Sequence, residues 1–566
     1  MNGFKDDEMA PIFNELSAFQ KAFQPRHPRC NLKDDAQSDR DALFVEMLDS
    51  VPAEHILANL QEKYITTWET MFRVVHMGTL AKDCAAISAI KETGATTLPD
   101  HIKGWVLPQI LCIMAIASRL HDPSNRASVT ERISDEQINK DLPSVRKWLD
   151  GVRGKFQTNI HVLETRVLLL IARQANLSHP TELWRESGDL VRLAMATGLH
   201  QDPEKAERMS KFDKEMRRKL WVTIVELDMR FSLLMGFPCA ISSSQINIAE
   251  ILNVDDESLT LEMEEYPEPL PQTTYTQALP QIALTSSIRE RLDVTNLLAG
   301  NLNLERDASL LLQHARLLER SLRLLPVHFK SSTQAGSSSN KKIHRLFTSI
   351  MLDVAIRRPL LALYRAIALS PVSEHYPEAR KGAFRNSLAI LAHLDALDPA
   401  VADLSTVKTR DYLNLFHILC KSDIMQATII LCYQIRSFNN HSSISDRASD
   451  ETSSGEADYH DPFPVTKQSL TRVVENTITS MMQRLGEFGS DLKEVVPLSV
   501  LLQGVRSDGD KTEKKAMMVR AAERVLLECR KILPGIQDVV QQNNIHGHAG
   551  KRGFFVCFKV VLKTSR

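Results

Sequence analysis

Potential metal ligands form only two dense groups in this sequence. His546 and His548 lie close to Cys557 near the C-terminal end, but a structural zinc site needs a fourth ligand, and none is evident beside them. Acidic residues cluster at 255–257 and 262–265, where carboxylate oxygens could bind a divalent cation. A flexible tail and a solvated acidic loop are the simpler interpretations. We therefore predict no metal and no cofactor.

The sequence lacks the motifs of common enzymes. It contains no GxxxxGK[ST] phosphate loop, no GxSxG nucleophile elbow and no HExxH zinc helix. Each of these motifs holds a reactive or phosphate-binding group at a fixed spacing, which scattered residues do not reproduce. We therefore expect that the protein is not an enzyme.

Charge and cysteine spacing disfavour direct binding to nucleic acid. The 69 basic residues are balanced by 70 acidic residues, so the formal net charge is −1 and no basic field covers the chain. Arg217, Arg218 and Lys219 form one of several short basic groups, and we expect them to lie on a solvated helix face. The nearest two of the eight cysteines, Cys420 and Cys432, are twelve residues apart, so no CxxC motif exists. No apolar run suggests a membrane span.

The elements that position these residues are predicted to be helices. The chain has only 21 Gly and 24 Pro in 566 residues, and such a low share of turn formers favours long helices. Apolar residues recur every three or four positions, which is typical of the buried face of a helix. Two such stripes are Leu57, Leu60, Tyr64, Trp68 and Phe72, and Phe212, Met216, Leu220, Ile224, Leu227, Phe231 and Leu234. The predicted fold class is all-α, a multi-helical bundle or array with polar disordered linkers.

Helix ends are clearest in the middle of the chain. Pro180 is placed to open one helix and Gly198 to close it, while Gly236 followed by Pro238 closes the next. Glycine adopts the left-handed conformation after a helix without steric cost, and proline cannot continue a helix. These residues predict two consecutive helices with sharp ends.

The segments around these ends resemble a known family. WRESGDLVRLAMATGLHQDP at 184–203, EMRRKLW at 215–221 and LDMRFSLLMGFP at 227–238 are similar, in order and spacing, to the middle homology region of fungal-specific transcription factors. The resemblance covers roughly residues 45–370. It implies an all-α regulatory domain, which in this family usually follows a zinc DNA-binding module. The first 50 residues contain only Cys30, so we expect that such a module is missing from this chain.

The resemblance also identifies the candidate site residues. They are expected mainly to determine the fold, and some of them could line a small-molecule effector pocket near Trp184, His200 and Trp221. Gly198 is expected to form the left-handed cap, and His200 and Asp202 to hydrogen-bond loop backbone groups. Arg217 or Arg218 is expected to pair with Asp189 or Asp228. The full set is Trp184, Gly188, Gly198, Leu199, His200, Asp202, Arg217, Arg218, Trp221, Asp228, Ser232, Gly236 and Pro238.

The resemblance implies a transcription regulator in the nucleus that controls a metabolic or secondary-metabolite gene set. It would act through a DNA-binding transcription factor or co-regulator, or through a DNA-binding module missing from this chain, with a small-molecule effector and no membrane. The alternative is a helical scaffold protein without a role at DNA. The expected organisation is an N-terminal segment at 1–44, the middle homology region at 45–330, a Ser-rich linker at 331–340, further helices at 341–436, a disordered acidic loop at 437–461, C-terminal helices at 462–535 and a weakly structured tail at 536–566.

Overall fold

The computed structural model of the chain describes residues 11–12, 15–16, 19, 37–93, 102–120, 133–152, 154–246, 250–329, 339–398, 408–441, 466–485, 492–507 and 510–532. Those residues form seventeen α-helices and contain no β-strand, which confirms the all-α prediction. They fall into two compact units. The larger unit is Arg26–Ile367 with Ala396–Leu419, and the smaller is Met1–Pro25 with Ala368–Asp395 and Cys420–Arg566.

The larger unit contains the first eleven helices and most of the twelfth. They are α1 (Gln37–Asp49), α2 (Glu54–Thr67), α3 (Met77–Thr93), α4 (Leu107–Ala117), α5 (Asp135–Gly151), α6 (Ile160–Ala175), α7 (Pro180–Ala196), α8 (Lys211–Met235), α9 (Leu279–Thr285), α10 (Ile288–Ala299), α11 (Leu304–Leu324) and α12 (Ser339–Ala368). The remaining helices are α13 (Pro377–Leu397), α14 (Lys408–His441), α15 (Lys467–Met482), α16 (Leu492–Arg506) and α17 (Lys511–Ile532). Helix α14 leaves helical geometry at Cys420 (φ −115°, ψ 15°).

Helix α8 is the central element of the larger unit. The Ser210 side chain accepts a hydrogen bond from the Asp213 amide at 3.0 Å and begins the helix. Gly236 ends it with a left-handed φ of 68°. Most α8 residues are buried, including the first six positions of the predicted apolar stripe. Leu234, the seventh, was wrongly predicted as core: it is 38% exposed, because the last turn is only partly covered.

Helix α7 confirms the other predicted helix ends. Pro180 stands in its first turn, and Gly198 follows its last turn with a φ of 77°. The Leu199 amide donates to the Ala194 carbonyl at 3.0 Å, so the chain folds back over the end of the helix. Leu199 is itself buried there.

The first predicted stripe is also buried, although its helix is shorter than the pattern implies. Leu57, Leu60 and Tyr64 lie on α2, whereas Trp68 and Phe72 lie in the turns that follow it. All five side chains are core. The turns after α2 contact α8, where the Thr223 hydroxyl donates to the Arg73 carbonyl at 3.0 Å, and they contribute to the candidate site.

Several predictions lie wholly or largely outside the described residues. They concern 331–338 of the Ser-rich linker, 442–461 of the acidic loop, and the tail with His546, His548 and Cys557. Residues 437–441 belong to α14, so the start of the predicted disordered loop is helical. Within the described part of the chain, no group of three or more His, Cys, Asp or Glu side chains could hold a metal ion.

One described segment, Asp411–Phe438, is long and apolar enough to cross a membrane by length and composition. Its most apolar window is 72% buried in the fold, which is typical of a core helix.

Candidate functional site

A buried carboxylate, Asp256, holds the loop after α8 against the centre of the larger unit. It forms ion pairs with Arg73 and with Lys219, whose Nζ lies 3.0 Å from Asp256 Oδ1. Burial works against the charged form, but the two cations outweigh it and hold the pKa of Asp256 well below its usual range. The predictions of a solvated acidic loop and of a solvated Lys219 are therefore wrong at these two residues.

Neighbouring groups complete the attachment of this loop. The Thr79 amide donates to His76 Nδ1 at 3.2 Å, so the proton of the neutral ring is on Nε2, which donates to the Asp256 carbonyl at 2.9 Å. The Asp256 amide donates to Gln277 Oε1 at 2.9 Å. On α9, the Gln281 amide nitrogen donates to the Lys219 carbonyl at 2.8 Å. The loop is thus held through both the backbone and the side chain of Asp256.

A second buried carboxylate, Glu69, lies next to this cluster. It accepts hydrogen bonds from the Tyr64 hydroxyl at 2.6 Å and from the Val74 and Val75 amides at 2.8 and 3.1 Å. Burial raises the pKa of Glu69 to about 8, even though the nearby Arg73 and these hydrogen bonds oppose the shift. Glu69 fixes the turn that presents Arg73 to Asp256. The spacing of Glu69 and Arg73, four residues apart, was the only sequence signal for this cluster.

The predicted partners of Arg217 and Arg218 were wrong. Arg217 donates from Nη2 to the Thr197 carbonyl at 2.6 Å and so caps the end of α7. Arg218, predicted as solvated, is buried and pairs with Glu204 at 2.5 Å and with Glu215 at 2.9 Å. Arg217 and Arg218 lie in the first two turns of α8, close to the Thr197 carbonyl, Glu204 and Glu215. These nearby acceptors bind the guanidinium groups in place of Asp189 and Asp228.

Asp228 instead joins α8 to α7 through neutral donors. Its carboxylate accepts from the Ser187 hydroxyl at 2.9 Å and from the Ala240 amide at 2.7 Å. Burial raises the pKa of Asp228 despite these bonds. Gly188 stands beside them, where an added Cβ would lie 3.9 Å from Asp228 Oδ1. An added Cβ would therefore make only an ordinary van der Waals contact with this carboxylate.

The remaining motif residues lie around the two helix ends. The Ser232 hydroxyl donates to the Pro238 carbonyl at 3.3 Å, which closes the turn at Gly236. The Asp202 carboxylate accepts from the Glu204 amide at 3.0 Å.

The aromatic residues of the motif form two separate contacts. Trp184 packs on Phe237 with ring centroids 4.7 Å apart, and buried Trp221 meets His200 at 6.4 Å. Nδ1 of His200 has no hydrogen-bond partner among the described residues. The motif residues thus form several structural contacts around the junction of α7 and α8 and do not converge on one site.

A cavity of about 450 Å³ lies elsewhere in the larger unit, between α3, α4, α6 and α8. Of the predicted site residues its lining contains Arg217. Its walls are largely apolar, and its polar groups are His76, Thr79, Asp83, Gln109, Asn159, His161, Glu164, Asp213 and Arg217. Its size is within the range of small-ligand sites.

The polar end of the cavity is built on an aromatic stack. Trp105, in a π-helical turn (Ile102–Val106) before α4, stacks on His161 with ring centroids 4.4 Å apart and planes 12° apart. Glu164 Oε2 accepts from His161 Nδ1 at 2.9 Å and from Gln109 Nε2 at 3.1 Å. Burial disfavours the charged ring, but Glu164 outweighs this and raises the pKa of His161. Sequence reasoning missed this site, whose only local signal is the three-residue spacing of His161 and Glu164.

The family match lies within the larger unit. Residues 63–351 match the family model described as "Fungal specific transcription factor domain", a range that includes α8, the Asp256 cluster and the cavity. "Transcription factor opdR" of Penicillium oxalicum is 26% identical over 66% of this chain and 46% of its own length. "Equisetin cluster transcription factor eqxF" of Fusarium heterosporum is 24% identical over 69% of this chain and 55% of its own length.

A further relative, "Fusarisetin A cluster transcription factor fsa6" of a Fusarium species, is 24% identical over 69% of this chain and 51% of its own length. The chain therefore spans about half the length of the curated relatives it matches. Because the family model matches 63–351 of the 566 residues, about half of the chain, this protein belongs to the fungal specific transcription factor domain family.

Proposed function

We propose that this protein is a transcription regulator of a secondary-metabolite gene set and that it acts in the nucleus. The observation that carries the proposal is its membership of the family together with relatives that are named as transcription factors of the equisetin and fusarisetin A clusters. The described residues of the matched region form a helical body. The role that we assign on the basis of the family and these relatives is regulatory.

Contact with DNA is proposed to be indirect or to use a module outside this chain. Its formal net charge is −1, and sequence-independent DNA affinity depends on the number of phosphates that basic groups neutralise. The two arginines and the lysine at the start of α8, the basic group nearest the family motif, are used in internal contacts with Thr197, Glu204 and Asp256. A DNA-binding transcription factor or co-regulator is the partner that this arrangement favours.

We also propose that the larger unit receives a small-molecule signal. Support comes from the cavity, which lies within the family region and is lined by four helices. One of them, α8, also carries Lys219 of the Asp256 cluster. A ligand there would contact α8 directly through Phe212 and Met216. Its binding could therefore alter the packing of the central helix, which is how a ligand changes a regulatory surface.

Deletion of the gene, followed by transcript profiling, tests the regulatory role. The expected result is coordinated loss or gain of transcripts from one biosynthetic gene set, restored by reintroducing the full chain. A deletion strain with an unchanged transcript profile, under conditions in which the gene is expressed, would overturn the proposal. An altered metabolite profile without altered transcripts would instead favour a helical scaffold protein.

A further inference from the structure

We propose that the cavity beside Trp105 binds a flat, largely apolar small molecule that carries a hydroxyl group, and that this hydroxyl donates to Nε2 of His161. The inference deepens the small-molecule role proposed above and rests on it. It assigns both the site and the chemical class of the ligand.

The walls of the cavity set the apolar character of the ligand. Val106, Ile110 and Met216 are buried side chains in the lining, and Phe212 meets His76 edge-on with ring centroids 5.1 Å apart. Apolar surface removed from water on both sides stabilises a complex roughly in proportion to its area. A polyaromatic or similarly flat body fits such walls better than a sugar or a nucleotide does.

The hydrogen-bonding group of the ligand follows from His161. Its Nδ1 is bonded to the Glu164 carboxylate, so in the neutral ring the proton stays on Nδ1 and Nε2 is an acceptor. No described residue hydrogen-bonds Nε2, and the side chain remains 38% exposed at the cavity. A hydroxyl donor on the ligand would satisfy this atom.

The charges of the lining disfavour an anionic ligand. Three carboxylates, those of Asp83, Glu164 and Asp213, line the cavity together with one guanidinium, Arg217. Arg217 already donates to the Thr197 carbonyl and is oriented by it. The surplus of negative charge repels carboxylates and phosphates. The apolar walls disfavour a fully charged ammonium group, so a neutral donor is the favoured group.

The backbone beneath Trp105 is a second, independent observation. The five-residue π-helical turn Ile102–Val106 departs from regular α-helical hydrogen bonding just before α4. Single π-helical turns are rare and occur frequently at functional sites. Here the turn places the indole of Trp105 flat against His161.

Three matched naphthalene probes test the assignment on the full-length protein at about pH 8.5. An alkaline pH is used because Glu164 raises the pKa of His161, and Nε2 accepts a hydrogen bond only in the neutral ring. 2-Naphthol can donate a hydrogen bond, 2-methoxynaphthalene has a similar shape but cannot, and 2-naphthoate is anionic. Isothermal titration calorimetry should show that 2-naphthol binds about fivefold more tightly than 2-methoxynaphthalene, the ratio that one hydrogen bond typically gives. 2-Naphthoate should bind most weakly of the three.

Two substitutions locate the binding site. His161→Phe keeps a flat ring beside Trp105 but removes Nε2, so it should abolish the preference for 2-naphthol over 2-methoxynaphthalene. Met209→Trp adds bulk in the cavity lining at a partly exposed residue and should weaken both probes. His55→Phe makes the same chemical change on an exposed face of α2 outside the cavity lining, and should change neither. Thermal unfolding of each variant establishes that it is folded.

The assignment is overturned if none of the probes binds up to its solubility limit, if 2-naphthol and 2-methoxynaphthalene bind equally well, or if Met209→Trp leaves 2-naphthol binding unchanged. The comparison of 2-naphthol with 2-methoxynaphthalene and the test with Met209→Trp do not use His161→Phe. Both remain valid if that variant does not fold. Failure of this ligand assignment would leave the transcript test of the regulatory role unaffected. Conversely, selective 2-naphthol binding together with an unchanged transcript profile would retain the site and overturn the regulatory role.

Discussion

Lys219 on α8 and Asp256 in the following loop form an ion pair of 3.0 Å with side chains that are only 1% and 3% exposed. The same carboxylate also pairs with Arg73, from the turns after α2. One anion therefore joins three separate parts of the larger unit. In a buried setting, each charge depends on its partner, since water cannot replace a lost ion pair.

Replacing Asp256 by Asn should cost about 3–5 kcal/mol of the free energy of unfolding, because two buried cations then lose their counter-ion. Arg73 has two guanidinium nitrogens without another partner among the described residues, so it cannot compensate. Urea denaturation measures the loss, with exposed Glu257→Gln as the matched control that should change nothing. Adding Lys219→Met to Asp256→Asn should recover part of the stability. A loss below about 1 kcal/mol would contradict the role of this cluster.

The raised pKa of Glu69 predicts a specific pH dependence. Because its pKa rises from 4.5 to about 8 on folding, the folded chain binds the proton more tightly than the unfolded chain. The contribution to stability is complete below pH 4.5 and is lost as the pH rises to about 8, a change on the order of 5 kcal/mol.

Glu69→Gln should remove this slope from a series of urea midpoints taken across the same pH range. Exposed Glu265→Gln serves as the control and should retain the slope. A slope in the Glu69→Gln protein equal to that of the natural protein would show that Glu69 does not titrate in this window.

Two glycines at the α7 junction should respond to alanine with opposite signs. Gly198 has a φ of 77°, where a Cβ is strained, so Gly198→Ala should cost about 1–2 kcal/mol. Gly188 is helical, and its added Cβ would meet chiefly Nη1 of Arg192 at 3.2 Å, at the end of an exposed side chain that can move. Gly188→Ala should therefore be neutral or stabilising by roughly 0.5–1 kcal/mol from helix propensity. Chemical denaturation of both variants measures the change in the free energy of unfolding. If Gly188→Ala destabilises the protein as Gly198→Ala does, the distinction is refuted.

Tyr266 is expected to fix the acidic loop to α8 without contributing much to global stability. Its hydroxyl donates to Glu204 and accepts from Arg218 Nη1 on α8 at 3.3 Å, and Lys211 lies 4.5 Å from the centre of its ring. The hydrogen bond from Tyr266, together with Arg218 and Lys214, lowers the pKa of Glu204 to about 2. Tyr266→Phe keeps the ring and removes both hydrogen bonds of the hydroxyl. Amide hydrogen exchange in residues 255–271 should become faster, while the free energy of unfolding changes by less than about 1 kcal/mol. Unchanged exchange in the loop would contradict this attachment.

The features that could be predicted from the sequence are those determined locally. The helix ends at Gly198 and Gly236 follow from the conformational freedom of glycine, and the buried stripes follow from helical periodicity. Periodicity identifies the apolar face of a helix, but it does not indicate how much of that face other elements cover. Leu234 was misassigned for this reason.

The partners of charged residues could not be predicted in the same way. Lys219 looks like part of a solvated basic group and Asp256 like part of a solvated acidic loop, and their burial depends on a contact between residues 37 positions apart. The cavity is a still stronger case, since Trp105 and His161 belong to different elements and no local pattern relates them. Such pairings are fixed by tertiary packing.

Chromatin immunoprecipitation of the full-length protein, tagged at its own locus, tests the central claim most directly. A transcription regulator that acts through a DNA-binding partner or module should be enriched at the promoters of the same genes whose transcripts change when its gene is deleted. Enrichment no greater than that of an untagged strain, with the protein confined to the cytoplasm, would contradict the account and identify a helical protein without a role at DNA.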